Sequence, residues 1–266
     1  KQRSPESTTT ITVDGWDNFK IGLDFAEGHI SENPQQPAQY FTCFNTTAVH
    51  YTNDGLNFNN TTVTWGASMW GDPVSAYDSL GNLYFENMYG SGTVQGCKVV
   101  KSSNNGQNWG TAVTAISGID KNWICADATG GPYSNYVYTT MTANSGGNFA
   151  RSTDLGVSFQ NTATMATQGL PGMMPCVGPN GNVQGGSVYV VTNGGSSTNS
   201  TYTFYRSTNG GQTWLNTPQR LNSLDGNPVA NDQWAPVLAV NPDGRRMLAA
   251  WFDRRNDPAN SLMDVY

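Results

Sequence analysis

Four short stretches repeat one order of residue types, and that repetition constrains the fold more than any other feature. The clearest copy is Ser207-Thr208-Asn209-Gly210-Gly211-Gln212-Thr213-Trp214. Ser152-Thr153-Asp154-Leu155-Gly156-Val157-Ser158-Phe159 and Ser102-Ser103-Asn104-Asn105-Gly106-Gln107-Asn108-Trp109 match it, and Tyr51-Thr52-Asn53-Asp54-Gly55-Leu56-Asn57-Phe58 is the weakest copy. Each reads as a tight turn after a β-prone run: a hydroxyl residue, an Asn or Asp that caps backbone N–H groups, a Gly for positive φ, then an aromatic. The shared glycines Gly55, Gly106, Gly156 and Gly211 stand 51, 50 and 55 residues apart. A regular period of that length, with a hairpin in each copy, specifies a repeat architecture.

The segments between the turns supply strands. In the second copy, Pro73–Asp78, Leu83–Met88, Cys97–Lys101 and Thr111–Thr114 alternate with Gly- and Asn-rich turns, giving four antiparallel strands. The other copies follow the same template, and a fifth begins at Pro236–Val240 and continues through Arg246–Phe252 and Leu262–Tyr266. A four-stranded sheet apolar on both faces cannot stand alone, and about 50 residues per four strands is the size of a propeller blade. The expected fold is therefore an all-β propeller of four-stranded antiparallel blades over 26–266, with five blades visible. The aromatics Phe58, Trp109, Phe159 and Trp214 are expected to pack between blades. The fifth copy reaches Tyr266 before its turn. Either Thr10–Val13 in the 1–25 segment closes that blade, or the five blades belong to a six- or seven-bladed propeller; the second reading is preferred.

Composition narrows the partners. The formal charge is −6 with only 13 Lys plus Arg, against a nucleic-acid backbone partner. No apolar run is long enough to span a membrane. Cys43, Cys97, Cys125 and Cys176 show no zinc-ligand spacing; they are buried thiols, or Cys125 and Cys176 form a disulfide between neighbouring inner strands. No cofactor or metal is expected: Asp14, Asp17 and Asp24 lack a calcium-loop spacing. Asn45, Asn60 and Asn199 begin glycosylation sequons. His29 and His50 lie in predicted strands, and Arg151 and Arg206 are expected to lie along blade edges.

The repeated turns resemble the Asp-box, or bacterial neuraminidase repeat, of consensus Ser-x-Asp-x-Gly-x-Thr-Trp. Asp72–Asp78, Asp120–Asp127 and Ala250–Asp257 strengthen the resemblance to secreted bacterial proteins of the sialidase-like propeller superfamily. Three of the four turns carry Asn where the family has Asp. The resemblance implies a secreted or cell-surface protein whose repeated turns face away from the ligand site. It does not extend to the family's arginine clamp: there is no Arg-Ile-Pro motif, and the only early arginine is Arg3, in Arg3-Ser4-Pro5. True sialidase activity is disfavoured, because bidentate clamping of a carboxylate is hard to replace.

In such a blade the loops between strands 2 and 3, and the connections between blades, surround the axis on the opposite face. That placement collects Glu27, Trp70, Asp72, Asp120, Lys121, Trp123, Asp232, Trp234, Asp253, Arg254, Arg255 and Asp257 as the candidate ligand site. Carboxylates bind hydroxyls or act as acid and base, and aromatic rings stack on sugar faces. The bland reading stands beside it: Trp123 and Trp234 plug the axis, and Arg254 and Arg255 pair with Asp253 and Asp257 to hold a loop. The expected function is glycan or extracellular-protein binding through the axial face; the alternative is a glycoside hydrolase acting on a non-sialic sugar.

Overall fold

The computed structural model describes residues 9–13, 16–20, 27–45, 48–142, 147–165, 173–196, 199–215, 219–222, 233–257, 259 and 261–265. No described residue is helical, so no helix is long and apolar enough to cross a membrane. The chain folds as a β-propeller with five sheets, each a meander in which consecutive strands pair antiparallel.

Blade 1 comprises His29–Glu32, Tyr40–Cys43, Val49–Thr52 and Phe58–Asn60. Blade 2 comprises Met69–Tyr77, Leu83–Tyr89, Gly96–Ser102 and Val113–Ser117, and blade 3 Asn122–Ala126, Val137–Met141, Phe149–Ser152 and Gln160–Ala163. Blade 4 comprises Met173–Asn180, Val183–Ser196, Asn199–Ser207 and Gln219–Arg220. The fifth sheet has three described strands, Gln233–Val240, Met247–Asp253 and Asp264–Val265. Thr9–Val13 pairs with Trp16–Lys20 in a separate hairpin, not with the fifth sheet.

The core lies between blades. Phe41, Leu83, Phe85 and Val100 join blades 1 and 2, and Val74, Tyr84, Ile124 and Val137 join blades 2 and 3. Tyr138, Phe149, Val188 and Val190 join blades 3 and 4, and Tyr189, Tyr202, Leu238 and Trp251 join blades 4 and 5. The second strands of the middle blades, Leu83–Tyr89 and Val137–Met141, are buried almost throughout, whereas the outer strands are partly exposed.

The repeated turns lie between strands 3 and 4 and are built alike. The Ser102 hydroxyl accepts the Gly106 N–H at 2.8 Å, and Asn104 Oδ1 accepts the Asn108 N–H at 2.9 Å. Ser152 with Asp154, and Ser207 with Asn209, repeat this pattern. Each of these turns places two consecutive residues at positive φ: Asn105–Gly106, Leu155–Gly156 and Gly210–Gly211. Gly211 has a second constraint, since an added Cβ would lie 2.8 Å from Phe149. Trp214 meets the same Phe149 edge to face at 4.7 Å, and Trp109 meets Phe41 at 5.4 Å. The turn is thus a wedge that locks one blade onto the preceding one.

The weakest copy differs from its expected alignment. Asp54, not Asn53, caps it, accepting the Leu56 and Asn57 N–H groups at 2.9 and 2.7 Å. Its hydroxyl is Thr52, only three residues before Gly55, so the turn is one residue tighter. Asn53 instead accepts the Asn105 amide at 2.9 Å, tying this turn to the next blade's. Arg151 and Arg206 hold blade edges, over the Tyr136 and Tyr189 rings. Arg151 also donates to the Gly210 carbonyl at 2.8 Å, across to the blade 4 turn.

Candidate functional site

The connections into the first strands carry unusual backbone. Glu27, Asp72 and Ala235 have φ of 55°, 53° and 52°. All three are non-glycine residues at or just before a first strand, in a region that costs about 1 kcal/mol or more for an L-residue. Backbone outliers in equivalent places on one face mark where the fold accepts strain to aim side chains.

At Asp72 the strain is over-determined. The Asp72 N–H donates to Asn45 Oδ1 at 3.0 Å, and the Gly71 N–H donates to Asn87 Oδ1 at 3.0 Å. Gly71, with φ of 120°, is the residue this requires: an added Cβ would lie 1.8 Å from Asn45 Oδ1. The Asp72 carboxylate then meets Lys121 of the blade 3 connection, with Nζ 3.6 Å from Oδ1. Lys121 Nζ is also 3.7 Å from Glu27 Oε1. Residues from three successive blade entries thus converge on one ammonium group.

This group is electrostatically unsatisfied. A side-chain hydrogen bond with Asp72 raises the Glu27 pKa, as do burial and the Asp72 charge; Lys121 and the Asp72 backbone pull the other way and lose. Asp120 adds a further negative charge nearby. The buried Cys97 thiol is pushed well up by burial first, then by the charges of Glu86, Asp72 and Asp120. Two aromatics flank the rim. Trp70 is 44% exposed, and its indole N–H is anchored on the Gly90 carbonyl at 3.1 Å. Trp123 is half-buried and meets His29 edge to face at 5.8 Å. Below the rim, the first strands of all five blades surround an axial cavity of about 730 Å³.

Blade 5 places its charged residues differently. Asp253 is fully buried. Its carboxylate accepts the Arg255 Nε–H at 2.7 Å, the Arg255 backbone N–H at 2.7 Å and the Trp251 indole N–H at 2.9 Å. Burial pushes the Asp253 pKa up, but the Arg255 and Trp251 hydrogen bonds outweigh it and hold the group below the usual range. Asp257 caps the backbone N–H groups of Ala259, Ser261 and Leu262. Asp253 and Arg255 are thus paired with each other within one loop. Arg254 is half-buried beside them, its charge contributing to the low pKa of Asp257. Asp232 and the side chain of Trp234 lie outside what the structure describes, as do Asp14, Asp24 and the side chain of Asp17. Among the described residues no cluster of three His, Cys, Asp or Glu side chains is arranged to hold a metal ion. All four cysteines are free thiols, with Cys125 and Cys176 lining the axial cavity from adjacent first strands.

Sequence reasoning missed Glu86, Asn45 and Asn87. Glu86 is fully buried on the second strand of blade 2, accepting the Asn122 amide at 3.0 Å and the Thr139 hydroxyl. Burial pushes its pKa to about 8, against the lowering effect of both hydrogen bonds. It sits beneath the strand that presents Lys121. A signal was present: one carboxylate inside the apolar run Leu83-Tyr84-Phe85-Glu86-Asn87-Met88. The polar pair interrupts the strand where it approaches the axial face.

No protein-family model matches the chain, and no curated protein matches its sequence. Solved structures match the fold. Hydrazine synthase of Kuenenia stuttgartiensis superposes with a TM-score of 0.57 at 12% identity, over 90% or more of this chain (91%) and 59% of that one. A GH74 xyloglucanase from Xanthomonas campestris gives 0.56 at 16% identity, over 90% of this chain and 36% of that one. A Hadza microbial sialidase gives 0.51 at 10% identity, over 85% and 52%. The chain spans less than two thirds of each of these three. At such identities the likeness establishes a sialidase-like propeller fold and nothing finer.

Proposed function

We propose that the chain is a glycan-binding propeller module, acting at or beyond the cell surface, whose axial rim takes a sugar at Glu27, Asp72 and Lys121 beside Trp70. The carrying observation is the open cluster itself: two carboxylates facing one ammonium at 3.6–3.7 Å, and an exposed indole two residues from Asp72. Carboxylate oxygens and an ammonium pair with the hydroxyls of a pyranose, and a fixed indole offers a stacking face. The net negative charge of the cluster favours neutral sugars or amino sugars over acidic ones. Solved propellers of like fold include a xyloglucanase and a sialidase, which supports a glycan ligand, although the hydrazine synthase shows that the fold alone does not require one.

Binding fits the cluster better than hydrolysis. Glycosidases hold their two carboxyl groups about 5–10 Å apart, across the scissile bond. Glu27 and Asp72 both lie against the one Lys121 ammonium, an arrangement that suits a single recognition group. One observation favours the second reading, a glycoside hydrolase acting on a non-sialic sugar: the raised pKa of Glu27 suits a general acid, with Asp120 as the opposing carboxylate.

A glycan array, run beside a panel of aryl-glycosides, tests both. Retention of neutral or amino-sugar glycans without turnover, lost in Asp72→Asn, is the expected result. Turnover of any aryl-glycoside, lost in Glu27→Gln, would establish the hydrolase instead. No retention on the array, with no turnover, overturns both.

A further inference from the structure

The axial cavity is chemically unlike the rim above it. Among the described residues that line it there is no Lys, Arg, Asp or Glu. Ala126, Val177, Leu238 and Val240 supply apolar wall, the thiols of Cys125 and Cys176 supply polarisable wall, and Ser75, Thr129, Gln184 and Asn241 supply a minority of polar wall. Its volume of about 730 Å³ is that of a small-molecule site. Exposed residues at the strand 1–2 turns, Ala128, Gln184 and Pro242, line the same space, so its mouth opens away from the acidic rim.

His29 lines the cavity, and burial, reinforced by the Lys121 charge, pulls its pKa to about 4. The ring is therefore neutral at pH 7 and carries a single proton. The Ser75 backbone N–H donates to Nδ1 at 3.3 Å, which requires a lone pair there. The proton consequently sits on Nε2. The Ser75 hydroxyl, 3.2 Å from Nδ1 and 2.7 Å from the Ser31 hydroxyl, completes the polar contacts on the Nδ1 side. Trp123 packs edge to face on the ring and fixes its plane. The result is a neutral ring of fixed plane and tautomer, with one N–H donor, on the wall of an uncharged, mostly apolar channel.

We infer that this channel binds a neutral, apolar small molecule bearing one acceptor oxygen, a ketone or ether, which receives the His29 Nε2 hydrogen bond. A free sugar is a poorer ligand here, because the larger, apolar part of the wall offers its hydroxyls no partner. An ion is wrong because the wall holds no counter-charge. This site is separate from the glycan reading of the rim and stands or falls without it.

The probe is a neutral naphthyl ketone with polarity-sensitive emission, compared with the same naphthalene lacking the ketone, each titrated by fluorescence and calorimetry. The wild-type protein should bind both saturably, with blue-shifted ketone emission. In His29→Phe the ketone should lose about fivefold in affinity, the effect of one neutral hydrogen bond, while the ketone-free compound is unchanged. Cys176→Phe, which fills the channel, should abolish both. If circular dichroism shows that this variant misfolds, the comparison of the two probes between wild type and His29→Phe decides alone. Absence of saturable binding to the wild type, equal loss of both probes in His29→Phe, or ketone binding indifferent to His29→Phe each overturns the proposal.

Discussion

Two acid–base groups sit on the axial face, and they differ in almost every physical respect. In blade 5, Asp253 has no exposure, Arg255 Nη2 lies 2.6 Å from its carboxylate, and three N–H donors occupy its oxygens. Around blades 1–3, Glu27 and Asp72 face Lys121 at 3.7 and 3.6 Å, Glu27 and Lys121 have substantially exposed side chains, and the two carboxylates repel. The first group is closed: every strong acceptor is used within the fold. The second has unspent hydrogen-bonding capacity and a strained backbone behind it. In sequence the two look equivalent, both being clusters of Asp, Lys or Arg next to Trp. Saturation, not composition, separates a structural network from a site able to bind something else.

The largest expected effect breaks the closed group. Asp253→Ala removes the buried carboxylate that pairs with the Arg255 guanidinium and accepts the Trp251 indole N–H, which costs about 3 kcal/mol or more. For a chain of this length that lowers the melting temperature by roughly 6–12 °C. Calorimetric melts check it; a drop under about 2 °C would show that the network is not closed.

Glu86 lies behind the open group and carries the next effect. Below its ordinary pKa of 4.5 the folded and unfolded states are both protonated; above that, the unfolded chain releases its proton while the folded chain keeps it until about 8. Its contribution to stability is thus full at low pH and is lost as pH rises through 8. Glu86→Gln removes the dependence. The melting temperature of wild type relative to Glu86→Gln should fall by several degrees from pH 5 to pH 8.5. Taking the difference matters, because His29, whose pKa is lowered to about 4, gains stability as pH rises over the lower part of that range. A difference flat with pH would mean that Glu86 is ionised in the fold.

Lys121→Met sharpens the contrast from the other side. It removes the one charge that lowers the Glu27 pKa, so the Glu27 carboxyl should titrate higher still, as followed by carbon NMR. The melting temperature should move by less than about 4 °C, because a partly exposed pair contributes at most about 1 kcal/mol. An unmoved Glu27 titration would remove Lys121 from the cluster.

The fold was legible because repetition is a property of sequence order. Each turn needs its own hydroxyl, its own Asx and its own glycine, so the repeat, the strand order and the strand 3–4 position of Ser207–Trp214 could be read directly. Where one position slipped, at Asn53 against Asp54, a turn one residue tighter had moved the cap without changing the residue types. The axial face was legible only as a set of residues. Topology places Asp72, Lys121, Asp253 and Arg255 on one face, but which charges meet depends on contacts between blades that no local pattern records. Asn45 shows this best: it orients Asp72 from another blade, 27 residues earlier in the chain. Glu86 is the opposite case, a lone carboxylate in an apolar strand that marks itself.

The smallest expected change in stability is the one that best tests whether the open group is held for binding. Glu27→Gln replaces one of two carboxylates in contact and leaves Lys121 its nearer partner, Asp72. If the cluster served the fold as Asp253 does, this substitution would destabilise. If the repulsion is held for a ligand, the unliganded protein should gain a few tenths of a kcal/mol, about 1 °C. The gain should shrink as pH falls through the raised Glu27 titration, because protonation already relieves the repulsion there. A loss of more than about 1 kcal/mol at pH 7 would place Glu27 with Asp253, as a fastening of the fold, and would leave the rim without its binding group.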